Sequence, residues 1–179
     1  MKRRVFIAIL LPEKVKRILA DFQRYLREYD VRWIKPENLH LTLFFLGWLE
    51  ENQIVKAKES LKSAINGVPS FELELSQIQI GPSLKLPRMI WVTGPVKKEL
   101  EETYQKIKKN LADSRIPFDG RYALNVHITL ARAEGGGLKG KKIQETINSN
   151  FPVKEIFLME SCLKSSGAEY QVLGKFSLK

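Results

Sequence analysis

Each of the chain's two histidines sits in the same alternating pattern, Leu39-His40-Leu41-Thr42-Leu43 and Val126-His127-Ile128-Thr129-Leu130. In an extended strand residues i and i+2 share a face. His40 therefore projects with Thr42, and His127 with Thr129, while the flanking aliphatic residues all point the other way. A period-two pattern with one wholly aliphatic side predicts two half-buried strands, each presenting an imidazole beside a hydroxyl. Threonine occurs only at positions 42, 93, 103, 129 and 146, so its recurrence two residues after both histidines is not a product of composition. A lone strand histidine is most often a packed or surface residue. A matched pair points to two equivalent strands that face one another.

The remaining pattern supplies two halves for such strands. Apolar Val5 to Leu11 reads as a buried first strand, followed by an amphipathic helix over residues 13 to 29 on Val15, Ile18, Leu19, Phe22 and Leu26. Val31 to Ile34 and Leu39 to Leu46 read as strands, and Ile54, Ala57, Leu61, Ala64 and Ile65 mark a second helix. Phe71, Leu73 and Leu75 then alternate and change parity to Ile78 and Ile80, which predicts a bulge near Ser76-Gln77. A strand over Arg88 to Thr93 and a helix on Val96, Leu100, Tyr104, Ile107 and Leu111 lead to a strand from Asn125 to Ala131. A helix near Lys141 to Asn148 and strands at Glu155 to Leu163 and Tyr170 to Leu178 complete the reading. A His-x-Thr strand in each half gives the outline of an internal duplication. The expectation is an α+β protein, residues 1–179 forming a single bilobal domain. Its two pseudo-symmetric lobes each carry an antiparallel sheet and helices, with the site in the cleft between them.

At 179 residues the chain is large enough for a substantial core and too small for a multidomain machine. The single Cys162 cannot form an internal disulfide, and one thiol with two histidines falls short of the usual zinc ligand set, so neither a metal nor a cofactor is expected. The basic start, Met1 to Arg4, ahead of an apolar run has the look of a signal peptide, but the run ends at Pro12-Glu13-Lys14 without a small-residue cleavage site. With nothing else approaching a membrane span, a cytoplasmic protein is expected. A net charge of +10 and a pI near 9.7 favour a polyanionic partner. Much of that charge, at Lys14, Lys16, Arg17, Arg24, Lys97, Lys98, Lys106, Lys108 and Lys109, falls on expected helix faces and reads as ordinary solvated surface.

With an unperturbed pKa near 6.5, one facing imidazole can accept a proton from water while the other, protonated, delivers one to a leaving oxygen. The two threonine hydroxyls can hold non-bridging phosphate oxygens. That arrangement suits a phosphodiester with a good intramolecular leaving group, above all a ribose cyclic phosphate. The residues also resemble a known family, the 2H phosphoesterases, and within it the RNA 2′,3′-cyclic phosphodiesterases once described as 2′-5′ RNA ligases. The resemblance runs through Phe6 to Ile9 with Pro12, Trp33, Asn38 to Gly47, Pro87 to Trp91, His127 to Arg132, and Ser161, Leu163, Gly167 and Tyr170. One departure is Val126, where many members carry proline before the second histidine; it is expected to alter strand entry rather than chemistry. The resemblance implies a bilobal fold, no metal, His40 as proton donor, His127 as proton acceptor, Thr42 and Thr129 on the phosphate, and hydrolysis to a 2′-phosphomonoester.

Three further residues are candidate substrate contacts. Phe44 shares the strand parity of His40 and Thr42, so it would either stack on a base in the cleft or pack between the lobes. Arg132 falls on the core parity unless the strand bulges, and would hold a phosphate or an ion pair. Tyr170 is a candidate for the cleft lining. Gly135-Gly136-Gly137-Leu138-Lys139-Gly140-Lys141-Lys142 nearly matches a phosphate-cradling loop but lacks the final Ser or Thr, and reads as a basic loop. The expected partner is RNA with a 2′,3′-cyclic phosphate end, with no membrane and no obligate protein partner. A 2′-5′ ligase, a phosphodiesterase for small cyclic nucleotides and a non-catalytic RNA-binding module are the alternatives.

Overall fold

The structure, a computed structural model, describes residues 1–83, 85–121, 123–133, 137–164 and 167–179. Two antiparallel sheets form the frame. The first contains β1 (Arg3–Leu10), β3 (His40–Leu49), β8 (Glu155–Lys164) and β9 (Gly167–Ser177), in the order β3-β1-β8-β9. The second contains β2 (Val31–Trp33), β4 (Phe71–Ser83), β5 (Leu86–Gly94), β6 (Val126–Ala133) and β7 (Gln144–Val153), in the order β2-β6-β5-β4-β7. Helices α1 (Glu13–Tyr25), α2 (Glu51–Ile65) and α3 (Lys98–Asp113) complete the α+β architecture. The duplication is visible in the connections. Each histidine strand pairs antiparallel with the strand that precedes it through a helix, β1-α1-β3 in one sheet and β5-α3-β6 in the other.

One apolar core serves both sheets. Val5, Ile7 and Ile9 of β1 and Leu41 of β3 share it with Ile90 and Val92 of β5 and Val126, Ile128 and Leu130 of β6, all at or below 1% exposure. The aliphatic faces read from the sequence are the buried ones. The parity change in β4 is a register irregularity between Leu75 and Gln77, as the alternation predicts.

Two findings correct the sequence reading. The helix expected near Lys141 to Asn148 is strand β7, paired with β4 from Gln144 to Val153. Ile143 and Ile147 stand four apart, as on a helix, but Ile147, Ser149, Phe151 and Val153 are the buried set, a period of two. The glycine loop lies partly outside the described residues, and the chain that follows it is a strand rather than a helix.

The second correction concerns Phe44. β3 bulges after the motif, since Ala8 pairs with Thr42 but Ile7 pairs with Phe44, leaving Leu43 as an extra residue. Phe44 therefore turns away from His40 and Thr42 into the core, where it is 1% exposed. Its ring stacks on Tyr104 of α3 at 4.3 Å and meets Phe118 edge-on at 5.6 Å. Of the two readings of Phe44, packing between the halves is the one the bulge enforces. Nearby, the backbone N–H of Asp119 donates to Phe45 O at 2.9 Å, tying the edge of β3 to the segment after α3.

A fully buried, stacked phenylalanine contributes through packing rather than binding. Phe44→Ala is expected to lower unfolding free energy by about 3–5 kcal/mol in a denaturant titration. A loss below about 1 kcal/mol would remove Phe44 from the core contact described.

Candidate active site

The site is built where the cleft faces of β3 and β6 emerge. His40, Thr42, His127 and Thr129 are all half-buried, while the residues between them are fully buried. A carbonyl oxygen can only accept a hydrogen bond, so each imidazole's tautomer follows from its partner. His40 Nδ1–H donates to Asn38 O at 2.7 Å, which leaves Nε2 for the cleft, 3.1 Å from Thr42 Oγ1. His127 repeats the arrangement with Nδ1–H donating to Asn125 O at 3.4 Å. Both rings are thus pinned by the carbonyl two residues upstream, and both offer Nε2 as the reactive nitrogen. The repeated unit in the sequence is longer than His-x-Thr: it is Asn-x-His-x-Thr, at Asn38 and Asn125.

β6 bulges at the same point as β3. Trp91 pairs with Thr129 and Ile90 with Ala131, so Leu130 is the extra residue. Leu130 and Ala131 are both buried, and Arg132 returns to the face of His127 and Thr129, where it is exposed. The bulge is held from the other half of the chain. Leu130 O accepts from the backbone of Ile34 at 2.8 Å and from Gln23 Nε2 of α1 at 3.0 Å, and the same amide donates to Ile34 O at 2.7 Å. Because bulge positions correspond, Arg132 in β6 is the structural counterpart of Phe45 in β3.

The surroundings of the two histidines differ. His40 lies among aromatic rings, with Phe6 at 5.1 Å and Tyr170 edge-on at 5.0 Å. β8 pairs with β1 only over residues 157–160, beyond which the β8–β9 ribbon continues alone. Its return strand brings Ala168 O to within 2.9 Å of Asn38 Nδ2, which fixes Tyr170 against His40. His127 instead has Trp91 at 5.0 Å, and on its sheet face Gln79 Nε2 donates to Thr93 Oγ1 at 3.4 Å. Arg32 of β2 stands directly across from Arg132. The sequence reading does not single out Trp91 or Phe45 as cleft residues. Trp91 carries a signal, since Gln77, Gln79 and Thr93 flank the buried Ile78 and Val92 and mark its face as polar.

Burial pushes both imidazoles below the ordinary histidine value of 6.5. The Arg132 guanidinium lowers both further, and the charge of His127 lowers His40. Arg132 thus lies within electrostatic reach of both rings, and the two motif strands β3 and β6 touch each other. Among the described residues no three His, Cys, Asp or Glu side chains group as a metal site would require. Four of the helix cations make local ion pairs: Lys16 with Glu13, Arg24 with Asp21, Lys98 with Glu102 and Lys109 with Asp113.

A titration of the imidazole resonances by NMR is expected to show both histidines protonating below pH 6.5. Arg132→Gln should raise both values, and His127→Ala should raise that of His40. The sign carries to stability: the unfolded chain binds these protons first, so this contribution to folding is lost as pH falls from the ordinary value through the depressed ones. Normal values insensitive to Arg132 would contradict this electrostatic influence.

Comparison with known proteins identifies the family and the fold. The family model of LigT-like phosphoesterases matches residues 9–91, which include the first motif. An RNA 2′,3′-cyclic phosphodiesterase of Thermotoga maritima is 30% identical over 95% of this chain and 92% of its own length. One of Methanocaldococcus jannaschii is 29% identical over 95% of this chain and 98% of its own length. Among solved structures, a Thermus thermophilus protein superposes with a TM-score of 0.85 at 27% identity, covering 98% of this chain and 97% of its own. E. coli LigT complexed with 3′-AMP has the same fold, with a TM-score of 0.83 at 22% identity, covering 100% of this chain and 99% of its own. With two Asn-x-His-x-Thr strands in the sequence and a relative 30% identical along nearly its full length, the chain belongs to the LigT-like phosphoesterase family of the 2H superfamily.

Proposed function

We propose that the protein hydrolyses the 2′,3′-cyclic phosphate at the end of an RNA to a 2′-phosphomonoester, by acid–base catalysis between His40 and His127 without a metal ion. The observation that carries this reading is the matched tautomers: each Nδ1–H is bound by an upstream carbonyl, which leaves Nε2 of each ring as the reactive nitrogen on the strand face that carries its threonine. The names of the relatives support the substrate class.

In the proposed reaction a water oxygen attacks phosphorus as His127 Nε2 takes its proton. The bond from phosphorus to the 3′ oxygen breaks as protonated His40 Nε2 delivers a proton to that oxygen. Thr42 and Thr129 donate to the non-bridging oxygens, where charge is held through the transition state. Arg132 faces the same volume and complements the phosphate, and Tyr170 holds the His40 ring from the side. The assignment of donor and acceptor follows the family resemblance. Residues 1–179 act as one bilobal unit in this account. No described helix is long and apolar enough to cross a membrane; a cytoplasmic site of action is part of the proposal.

Because one imidazole must be charged and the other neutral, kcat/KM should be bell-shaped in pH. Both groups are lowered in the free protein, so the maximum should fall on the acidic side of 6.5. A bound phosphate anion stabilises imidazolium, so the kcat profile should lie at higher pH than that of kcat/KM. The test is turnover of an oligoribonucleotide ending in cyclic phosphate, in excess chelator. The wild type should retain full activity; His40→Ala and His127→Ala should each lose ~10²-fold or more, with the double variant little worse. Dependence on an added divalent ion, or full activity in either single variant, would contradict the two-histidine mechanism.

A further inference from the structure

The cleft face of the first sheet extends well past the reacting groups. Cross-strand pairs on that face run Leu10–His40, Ala8–Thr42, Phe6–Phe45 and Arg4–Trp48. A second bulge, at Leu46, keeps Trp48 on this side, because Val5 pairs with Gly47 and is buried while Arg4 pairs with Trp48 and is exposed. Trp48 is 61% exposed and Phe45 51%, large apolar groups left in water on the edge strand of the sheet. Gly47 takes φ +77°, a conformation that favours glycine and sets the entry to Trp48.

An exposed indole in line with the histidine, with an arginine directly across the strand, has the chemistry of a single-stranded nucleic-acid track. The π face accepts any base, and the cation meets the backbone phosphate. Arg4 stands two residues from Phe6, ~7 Å along β1. That step leads from the pair beside the reacting volume to the next. A second copy of this chain fits the patch poorly. Two apolar side chains fall far short of the ~800 Å² per partner of a stable interface, and a chain of net charge +10 that presents Arg4 here repels its own copy.

We propose that Trp48 and Arg4 form a stacking subsite for the nucleotide on the 5′ side of the cyclic end, so that the protein prefers oligoribonucleotides to cyclic mononucleotides. This rests on the function proposed above. Phe45 lies between the subsite and the phosphate, and the RNA runs along β3 away from His40.

The experiment compares kcat/KM for a 2′,3′-cyclic mononucleotide and for an oligoribonucleotide with the same end, using the wild type, Trp48→Ala and Trp48→Phe. Trp48 is exposed, so its replacement leaves the fold intact. Trp48→Ala should reduce kcat/KM for the oligonucleotide about 5- to 50-fold, mainly through KM. Hydrolysis of the mononucleotide should be unchanged, and Trp48→Phe should recover most of the loss. Equal effects on both substrates, no effect on either, or a loss traced to a dimer that Trp48→Ala dissociates would each overturn the subsite. Absence of mononucleotide and oligonucleotide hydrolysis by the wild type would instead overturn the proposed function. The subsite is then decided by the affinity of a labelled oligonucleotide measured by fluorescence anisotropy: a weaker Kd in Trp48→Ala supports it, and an unchanged Kd or no binding by the wild type overturns it.

Discussion

One extra residue after each His-x-Thr motif, Leu43 in β3 and Leu130 in β6, governs what the rest of the molecule does. A strand has two faces, and an inserted residue exchanges them from that point onward. Before the bulge the motif strands present His and Thr to the cleft and aliphatic residues to the core. After it Phe44 is driven inward onto Tyr104, and Phe45 and Arg132 come round to the cleft. The bulges also free backbone groups that the ladder would otherwise use. Leu130 O is satisfied by Ile34 and Gln23, so α1 and β2 grip the second motif strand. Phe44 and the Asp119 N–H to Phe45 O bond grip the first from the side of α3. The halves hold each other through the two strands that carry the histidines.

That mutual grip leaves the two imidazoles similar in tautomer and different in surroundings. Phe6 and Tyr170 enclose His40, whereas His127 stands near Trp91 on a face with Thr93 and Gln79. Burial and Arg132 disfavour the imidazolium at both sites in the free protein. In the proposed reaction a phosphate anion held between the rings offsets both effects, so the charged acid forms most readily when substrate is present. A site that resists protonation until an anion arrives couples its acid to its substrate.

The four motif residues are legible because a half-buried strand writes its faces into the sequence with a period of two. Simple parity misplaces Phe44 and Arg132 because a bulge leaves no local mark: Leu43 and Leu130 look like any other aliphatic strand residue. Where the parity change is itself written in the sequence, at Ser76-Gln77, the bulge is readable. β7 reads as a helix because Ile143 and Ile147 share helical spacing, and pairing with β4 overrides it. The contact of Tyr170 with His40 depends on a ribbon that leaves its sheet and returns, which no local pattern records.

The central claim is that the site has a direction, with His40 beside the 3′ oxygen and His127 on the opposite side of phosphorus. The most direct test is to isolate the hydrolysis product of a cyclic-phosphate oligoribonucleotide and treat it with an enzyme that removes only 3′ phosphates. The account predicts that the phosphate resists this treatment, because it remains on the 2′ oxygen. Its release would contradict the assignment of donor to His40 and acceptor to His127.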